Sequence, residues 1–284
     1  MAFTTLVSAA TLLENLASPD WLILDVRHDL AAPEAGHAAW HAGHIPGACF
    51  LHMDNDLSAP KTGHNGRHPL PDRAGFASLL AHLGANPQTQ IVAYDAQGGM
   101  MAARLWWMLR WIGHEAVAVL DGGFQTWQTL GAPVETRPPH PRTPGGLMLR
   151  DSLVATVSAD EVLQNITTRQ RLVVDARSPD RFRGENETMD PVGGHIPGAS
   201  NRFFKDNLFE TGTFKEAGQL RKEFLDVFGD YRPDQVIAQC GSGVTACHNL
   251  LALEIAGLGG VALYPGSWSE WCSDPARPVA SGTA

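Results

Sequence analysis

The chain has 284 residues with a net charge of −9; 44% of residues are hydrophobic and 18% charged, and there are 29 glycines and 19 prolines. At about 150 residues per domain this is just under two domains, each able to bury a core without covalent staples, and the composition excludes disorder, collagen and a long coiled coil. Four cysteines with no Cys-x-x-Cys pair exclude a disulfide scaffold and argue against structural zinc, and neither half is basic, which makes nucleic acid and anionic membrane surfaces poor partners. The longest strongly apolar stretch, Leu105 to Ile112, is interrupted by Arg110 and is too short to span a bilayer. Met1 to Trp21 has no basic residue and carries Glu14, unlike a secretory signal. The expectation is a reduced, cytoplasmic protein.

In chain order, Leu22-Ile23-Leu24-Asp25-Val26-Arg27 comes first, then Gly43-His44-Ile45-Pro46-Gly47-Ala48, Ile91-Val92-Ala93-Tyr94-Asp95 and Gly122-Gly123-Phe124-Gln125-Thr126-Trp127. The same series returns as Leu172 to Arg177, Gly194-His195-Ile196-Pro197-Gly198-Ala199, Val236 to Cys240 and Gly266-Ser267-Trp268-Ser269-Glu270-Trp271, at offsets of 144 to 151 residues. Four colinear matches mark a duplicated domain. The expected division is residues 1–135, a Pro/Gly-rich linker over 136–151, and residues 152–284.

Within the second copy, Ser158 and Glu161 form a capping box that opens a helix through Ile166. Leu172 to Val174 is a short apolar run that suits a strand buried on both faces. Glu216 to Phe228 has helical periodicity with Leu220, Phe224, Leu225 and Phe228 on one side. Val236 to Ala238 is a second strand, Gly243 to Ala256 a helix, and Val261 to Leu263 a third strand. Such alternation predicts an α/β fold, each domain a parallel sheet with helices on both faces.

Ligands of such sheets bind beyond the carboxyl ends of the strands. The turn after Val236 to Ala238 is Cys240-Gly241-Ser242-Gly243-Val244-Thr245, leading into a helix. Backbone N–H groups and a helix dipole there depress a thiol pKa and stabilise an anion, so Cys240 is the candidate nucleophile. Cys49, Cys247 and Cys272 are assigned to packing. A phosphatase of the Cys-x5-Arg type needs an arginine where this chain has Ala246, and the loop is sized for a sulfur atom rather than a tetrahedral phosphate.

On these residues the sequence resembles the two-domain rhodanese family, sulfurtransferases that carry sulfur as a cysteine persulfide. The likeness covers both Asp-x-Arg strands, both Gly-His-Ile-Pro-Gly-Ala segments, the cysteine loop and Gly266 to Trp271; the loop itself is similar to that of 3-mercaptopyruvate sulfurtransferases. It implies that sulfane sulfur passes from a small anionic donor, 3-mercaptopyruvate or thiosulfate, through a Cys240 persulfide to cyanide or a thiol such as thioredoxin or glutathione. Gly241, Gly243, Val244 and Thr245 would line the sulfur, and Arg181 would anchor the donor and supply a local positive field. Ser242, His68 and Asp54 match a relay that protonates the enolate as sulfur leaves. The first copy, with Asp95 in the cysteine's place, would be non-catalytic and would wall the site, contributing Asp54 and His68. The family's second arginine before the Gly-His-Ile-Pro-Gly segment has no counterpart in Glu187-Thr188-Met189-Asp190-Pro191-Val192. A rhodanese-fold module that binds or senses persulfide without turnover is the competing reading.

Seven histidines lie between His28 and His68. His44 recurs as His195 in a structural turn, and the stretch reads as surface loop rather than metal site. Trp106, Trp107 and Trp111 read as packing. Without GxGxxG, GxxxxGK[ST] or a placed lysine, no organic cofactor is implied.

Overall fold

The structure, a computed structural model, describes residues 2–283. Two compact units emerge from it. The first comprises the chain up to Ala59, Pro71–Leu153 and Leu208–Phe214; the second comprises Pro60–Leu70, Val154–Asn207 and the chain from Lys215 onward. Two short segments therefore lie with the unit opposite to the half of the sequence that contains them. His68 is in one of these segments and belongs to the second unit.

The first unit contains β1 (Leu6–Val7), α1 (Ala9–Glu14), β2 (Trp21–Asp25), α2 (Ala35–Ala42), β3 (Cys49–Phe50), α3 (Arg73–His82), β4 (Gln90–Tyr94), α4 (Ala102–Trp111), β5 (Val117–Leu120) and α5 (Gly123–Thr129). Its sheet has the order β1-β5-β4-β2-β3, with every pairing parallel. The central strands β4 and β5 are buried along their whole length and mostly apolar, because both faces are covered. Trp106 and Trp107 of α4 are buried as packing residues. Residues 136–151 form no helix or strand, but run along this unit through bonds from Gly145 N–H to Ala81 O, Leu147 N–H to Ala85 O and Arg150 N–H to Ile112 O.

The second unit repeats the plan with α6 (Ala159–Thr168), β6 (Leu172–Asp175), α7 (Pro179–Arg183), β7 (Ser200–Asn201), α8 (Ala217–Phe228), β8 (Val236–Gln239), α9 (Thr245–Ile255), β9 (Ala262–Leu263) and α10 (Ser267–Trp271). The sheet order is β7-β6-β8-β9, again all parallel. A parallel bridge from Thr156 to Leu263 stands where β1 pairs with β5 in the first unit. Both halves of the Ser158–Glu161 capping box are formed at the start of α6. On α8, Leu220, Phe224 and Phe228 are buried, whereas Leu225 is exposed, contrary to the sequence reading. One residue of helix turns about 100°, which carries position 225 off the stripe shared by 224 and 228.

The repeated Asp-x-Arg motif has a structural explanation. Arg27 makes a two-pronged bond to Asp25 at the end of β2 and reaches the carbonyl of Gly43; Arg177 does the same with Asp175 and Gly194. Each arginine thus ties a strand end to the Gly-His-Ile-Pro-Gly segment. His44 and His195 fix that turn by bonding the carbonyls of Trp40 and Phe182. No helix among the described residues is long and apolar enough to cross a membrane.

Candidate active site

In the second unit the register pairs Asp175 with Gln239, so β6 and β8 end level and Cys240 emerges from the carboxyl edge of the sheet. The loop folds back on its own thiol. Cys240 is 1% exposed, and its Sγ accepts N–H bonds from Ser242 at 3.5 Å and Gly243 at 3.1 Å. Gly243 has φ +78°, and a Cβ there would stand 2.3 Å from the carbonyl oxygen of Pro265, so only glycine fits this curl. Val244 precedes α9 and Thr245 opens it, bringing the positive end of the helix dipole to the loop.

Two hydroxyls brace this arrangement. Ser242 Oγ lies 2.8 Å from Nδ1 of the buried His68, which gives that histidine a direct line to the loop. The sequence reading missed Ser267. Its Oγ accepts the Cys240 N–H at 3.1 Å and donates to Tyr264 O at 2.9 Å. Ser267 holds φ +55°, a left-handed conformation uncommon for a residue with a side chain. The signal was present in the repeat, where Gly123 of the first copy becomes Ser267 of the second.

Arg181 and Arg67 meet above the same loop. A Cβ on Gly241 would lie 3.6 and 3.7 Å from the two terminal nitrogens of Arg181 and 2.8 Å from Nη2 of Arg67. Arg67 is a second residue that the sequence reading missed. Its backbone N–H bonds Ser269 Oγ at 3.0 Å, and Gly66 packs so closely on Gly266 that a Cβ would come within 2.8 Å of that carbonyl oxygen.

The segment that lacks an arginine supplies two acids instead. Glu187 takes a fork from Arg181, with Nε to Oε2 at 3.1 Å and Nη2 to Oε1 at 2.8 Å, and Arg177 reaches it at 3.5 Å. Asp190 bonds Arg67 Nη1 and lies 3.4 Å from Arg181 Nη2. The local positive field expected of Arg181 is therefore corrected: these acids balance Arg67 and Arg181. Burial raises the Glu187 carboxyl, but Arg181 and the N–H groups of Met189 and Asp190 outweigh it and hold the group below the usual carboxylate range. At Asp190 burial wins over the pull of Arg67 and raises the carboxyl. Burial also opposes the charge on Arg177, yet Asp175, Glu187 and the field of Cys240 raise its pKa.

The first unit's loop carries Asp95, fully buried, in the equivalent place. Its carboxylate accepts four backbone N–H groups, those of Gln97 and Gly99 at 2.9 Å on one oxygen and those of Met101 and Ala102 at 2.7 and 2.9 Å on the other. Asp54 also belongs to the first unit, with Oδ2 4.0 Å from His28 Nε2. His28 and His52 are buried and stack edge to face at 5.5 Å, which corrects their reading as surface-loop residues. With Asp54 they form a group whose ligand-type atoms lie within 4.8 Å of one another. His52 Nδ1, however, accepts the Asp54 N–H, which leaves the ring proton on Nε2, 3.6 Å from Glu34. A metal at Nε2 would require an imidazolate.

Comparison with known proteins accounts for both halves. The sequence matches the rhodanese-like domain family over residues 8–130 and again over 158–274. It is 42% identical to a probable 3-mercaptopyruvate sulfurtransferase of Pseudomonas aeruginosa, across 99% of this chain and 100% of that one. It is 34% identical to the thiosulfate sulfurtransferase of Mus musculus, across 95% and 92% of the two chains. The crystal structure of SseA from Escherichia coli, described as a 3-mercaptopyruvate sulfotransferase, superposes with a TM-score of 0.81 at 32% identity, covering 94% of this chain and 99% of that one. The chain belongs to the two-domain rhodanese family of sulfurtransferases.

Proposed function

We propose that the protein moves a sulfur atom from 3-mercaptopyruvate, in preference to thiosulfate, to a thiol or cyanide through a persulfide on Cys240. The observation that carries this reading is the closure of the 240–245 loop on the Cys240 sulfur, with N–H groups of Ser242 and Gly243 pointing at it. The Cys240 thiolate attacks the donor sulfur, and the carbon–sulfur bond breaks with its electron pair passing to carbon. The resulting enolate takes a proton and leaves as pyruvate. The persulfide sits among the loop N–H groups of Gly241, Gly243, Val244 and Thr245. A thiol such as thioredoxin or glutathione, or cyanide, then attacks its outer sulfur and restores the thiolate.

Ser242 and His68, 2.8 Å apart, supply the proton to the enolate. Asp54, which the resemblance adds to the candidates, has His28 and His52 as neighbours in its own unit. Arg181 orients the donor's carboxylate. The first copy is non-catalytic, because the Asp95 carboxylate has no sulfur to carry. Its loop nevertheless supports the reading: an aspartate oxygen and the outer sulfur of a persulfide are each three bonds from their Cα, and four N–H groups receive that aspartate.

Steady-state kinetics with varied donor and cyanide test the proposal. Parallel double-reciprocal lines are expected for a covalent sulfur carrier. A kcat/KM for 3-mercaptopyruvate about tenfold above that for thiosulfate, near 1.4 kcal/mol of transition-state stabilisation, is expected as well. Intersecting lines would contradict the carrier mechanism, and a thiosulfate preference would overturn the donor assignment.

A further inference from the structure

We propose that Arg67 is a specificity-determining residue, forming with Arg181 a paired guanidinium receptor for the donor's carboxylate, and that Asp190 occupies this receptor until the donor displaces it. The proposal rests on the sulfur-transfer reading above and adds to it the chemistry of donor selection.

Three observations converge. First, both guanidinium groups lie over Gly241, the residue next to Cys240, so an anion held between them is presented to the loop that carries the thiol. Second, the position of Arg67 is built rather than incidental. Gly66 has φ +83° and packs against the Gly266 backbone, while the Arg67 N–H is bonded to Ser269 Oγ, although the two residues are 202 positions apart in sequence. Third, the two arginines already share a carboxylate. Asp190 presents one oxygen to Arg67 and the other toward Arg181. A planar carboxylate bridging two guanidinium groups is the arrangement that a keto-acid donor would reproduce.

The two acids differ in how firmly they are placed. Glu187 takes the fork of Arg181 together with the N–H groups of Met189 and Asp190, and it fixes the orientation of Arg181. Asp190 touches Arg181 only at 3.4 Å, and its burial disfavours the charged form. It is the carboxylate that yields. Both acids lie on the segment between Gly184 and Gly194, which contains no helix or strand to hold it rigidly. Glu187 and Asp190 neutralise the two arginines, so the receptor gains net positive charge only when Asp190 leaves. A single carboxylate can then replace a single carboxylate without creating a buried unpaired charge.

Pyruvate carries the carboxylate without the sulfur and serves as the probe. Its inhibition constant against 3-mercaptopyruvate should rise about tenfold or more in Arg67→Ala, the loss of a charge-assisted contact. In Arg67→Lys, which keeps the charge and loses the fork, it should rise less. Asp190→Asn should lower it severalfold by removing the competing carboxylate. Unchanged pyruvate inhibition in both Arg67 variants, or weaker inhibition in Asp190→Asn, would overturn the proposal. If neither Arg67 variant folds, Asp190→Asn decides, since tighter inhibition supports the receptor and equal or weaker inhibition contradicts it. A wild-type protein that takes sulfur onto Cys240 but is not inhibited by pyruvate would end this inference while sparing the sulfur-transfer reading. A protein that takes no sulfur would end both.

Discussion

Cys240 and Asp95 stand at the same point of two copies of one loop, and their surroundings explain why one copy is assigned the chemistry. The Asp95 carboxylate permanently fills its ring of N–H groups, whereas the smaller thiol of Cys240 receives two and is supported from behind by Ser267. His68 reaches this loop through its bond to Ser242. His68→Ala should therefore reduce kcat with 3-mercaptopyruvate about a hundredfold, the usual contribution of a placed general acid. Turnover of thiosulfate, whose leaving sulfite needs no proton at carbon, should fall far less. Equal losses with both donors in a rate assay would assign His68 a structural role. At this scale Cys240, Ser242, His68 and Arg181 could be proposed from local motifs and their resemblance. Arg67 could not, because its role depends on the approach of Gly66 to Gly266, far apart in sequence, and Ser267 was marked only by the glycine-to-serine change between the two copies.

Among the elements of the second unit, α6, β6, α8, β8, α9 and β9 followed from a capping box, short apolar runs and helical spacing, with boundaries moved by one or two residues, whereas the short elements α7, β7 and α10 carried no such signal. The clearest case is α6, whose capping box was visible as Ser158 and Glu161. Ser158→Ala should cost about 1 kcal/mol. In urea unfolding that appears as a lower midpoint with an unchanged slope, and an unchanged midpoint would mean that the cap contributes nothing. The bonds of Glu161 to the Ser158 N–H and hydroxyl lower its carboxyl pKa, so the capping contribution is present above the ordinary glutamate range and fades in acid. The exchange of residues 60–70 and 208–214 between units was not legible, since hydrophobic patterning specifies a strand's faces but not the unit with which a connecting segment packs. That exchange matters for the site, because it gives His68 and Arg67 to the unit that carries Cys240.

For the whole molecule, the net charge of −9 conceals how many acids are held in ion pairs. Burial opposes ionisation of Glu223, but Arg202, Lys215 and Gln219 overcome it and hold the carboxyl down to about 2. A depressed folded-state pKa adds stability above the ordinary glutamate pKa and loses it as pH falls toward the folded value. Thermal stability should therefore decline from about pH 5 toward pH 2, and Glu223→Gln should flatten that decline while lowering stability at neutral pH by about 1 kcal/mol after solvent screening. An identical acid profile in the variant would show that the cluster does not couple to folding. The duplicated plan was legible because each copy needs the same strand-to-turn anchor, Asp25 with Arg27 and Asp175 with Arg177. The charge balance at the site was not, because the Glu187 to Val192 segment stood out in sequence for the arginine it lacks, and nothing local pairs its acids with Arg67 and Arg181. Carriage of sulfur on Cys240 is read from the intact mass of the protein after incubation with 3-mercaptopyruvate and removal of excess donor. The expected result is the added mass of one sulfur atom, lost on treatment with cyanide and absent from Cys240→Ser; an adduct that persists in Cys240→Ser, or none on the wild-type protein, would rule out Cys240 as the carrier.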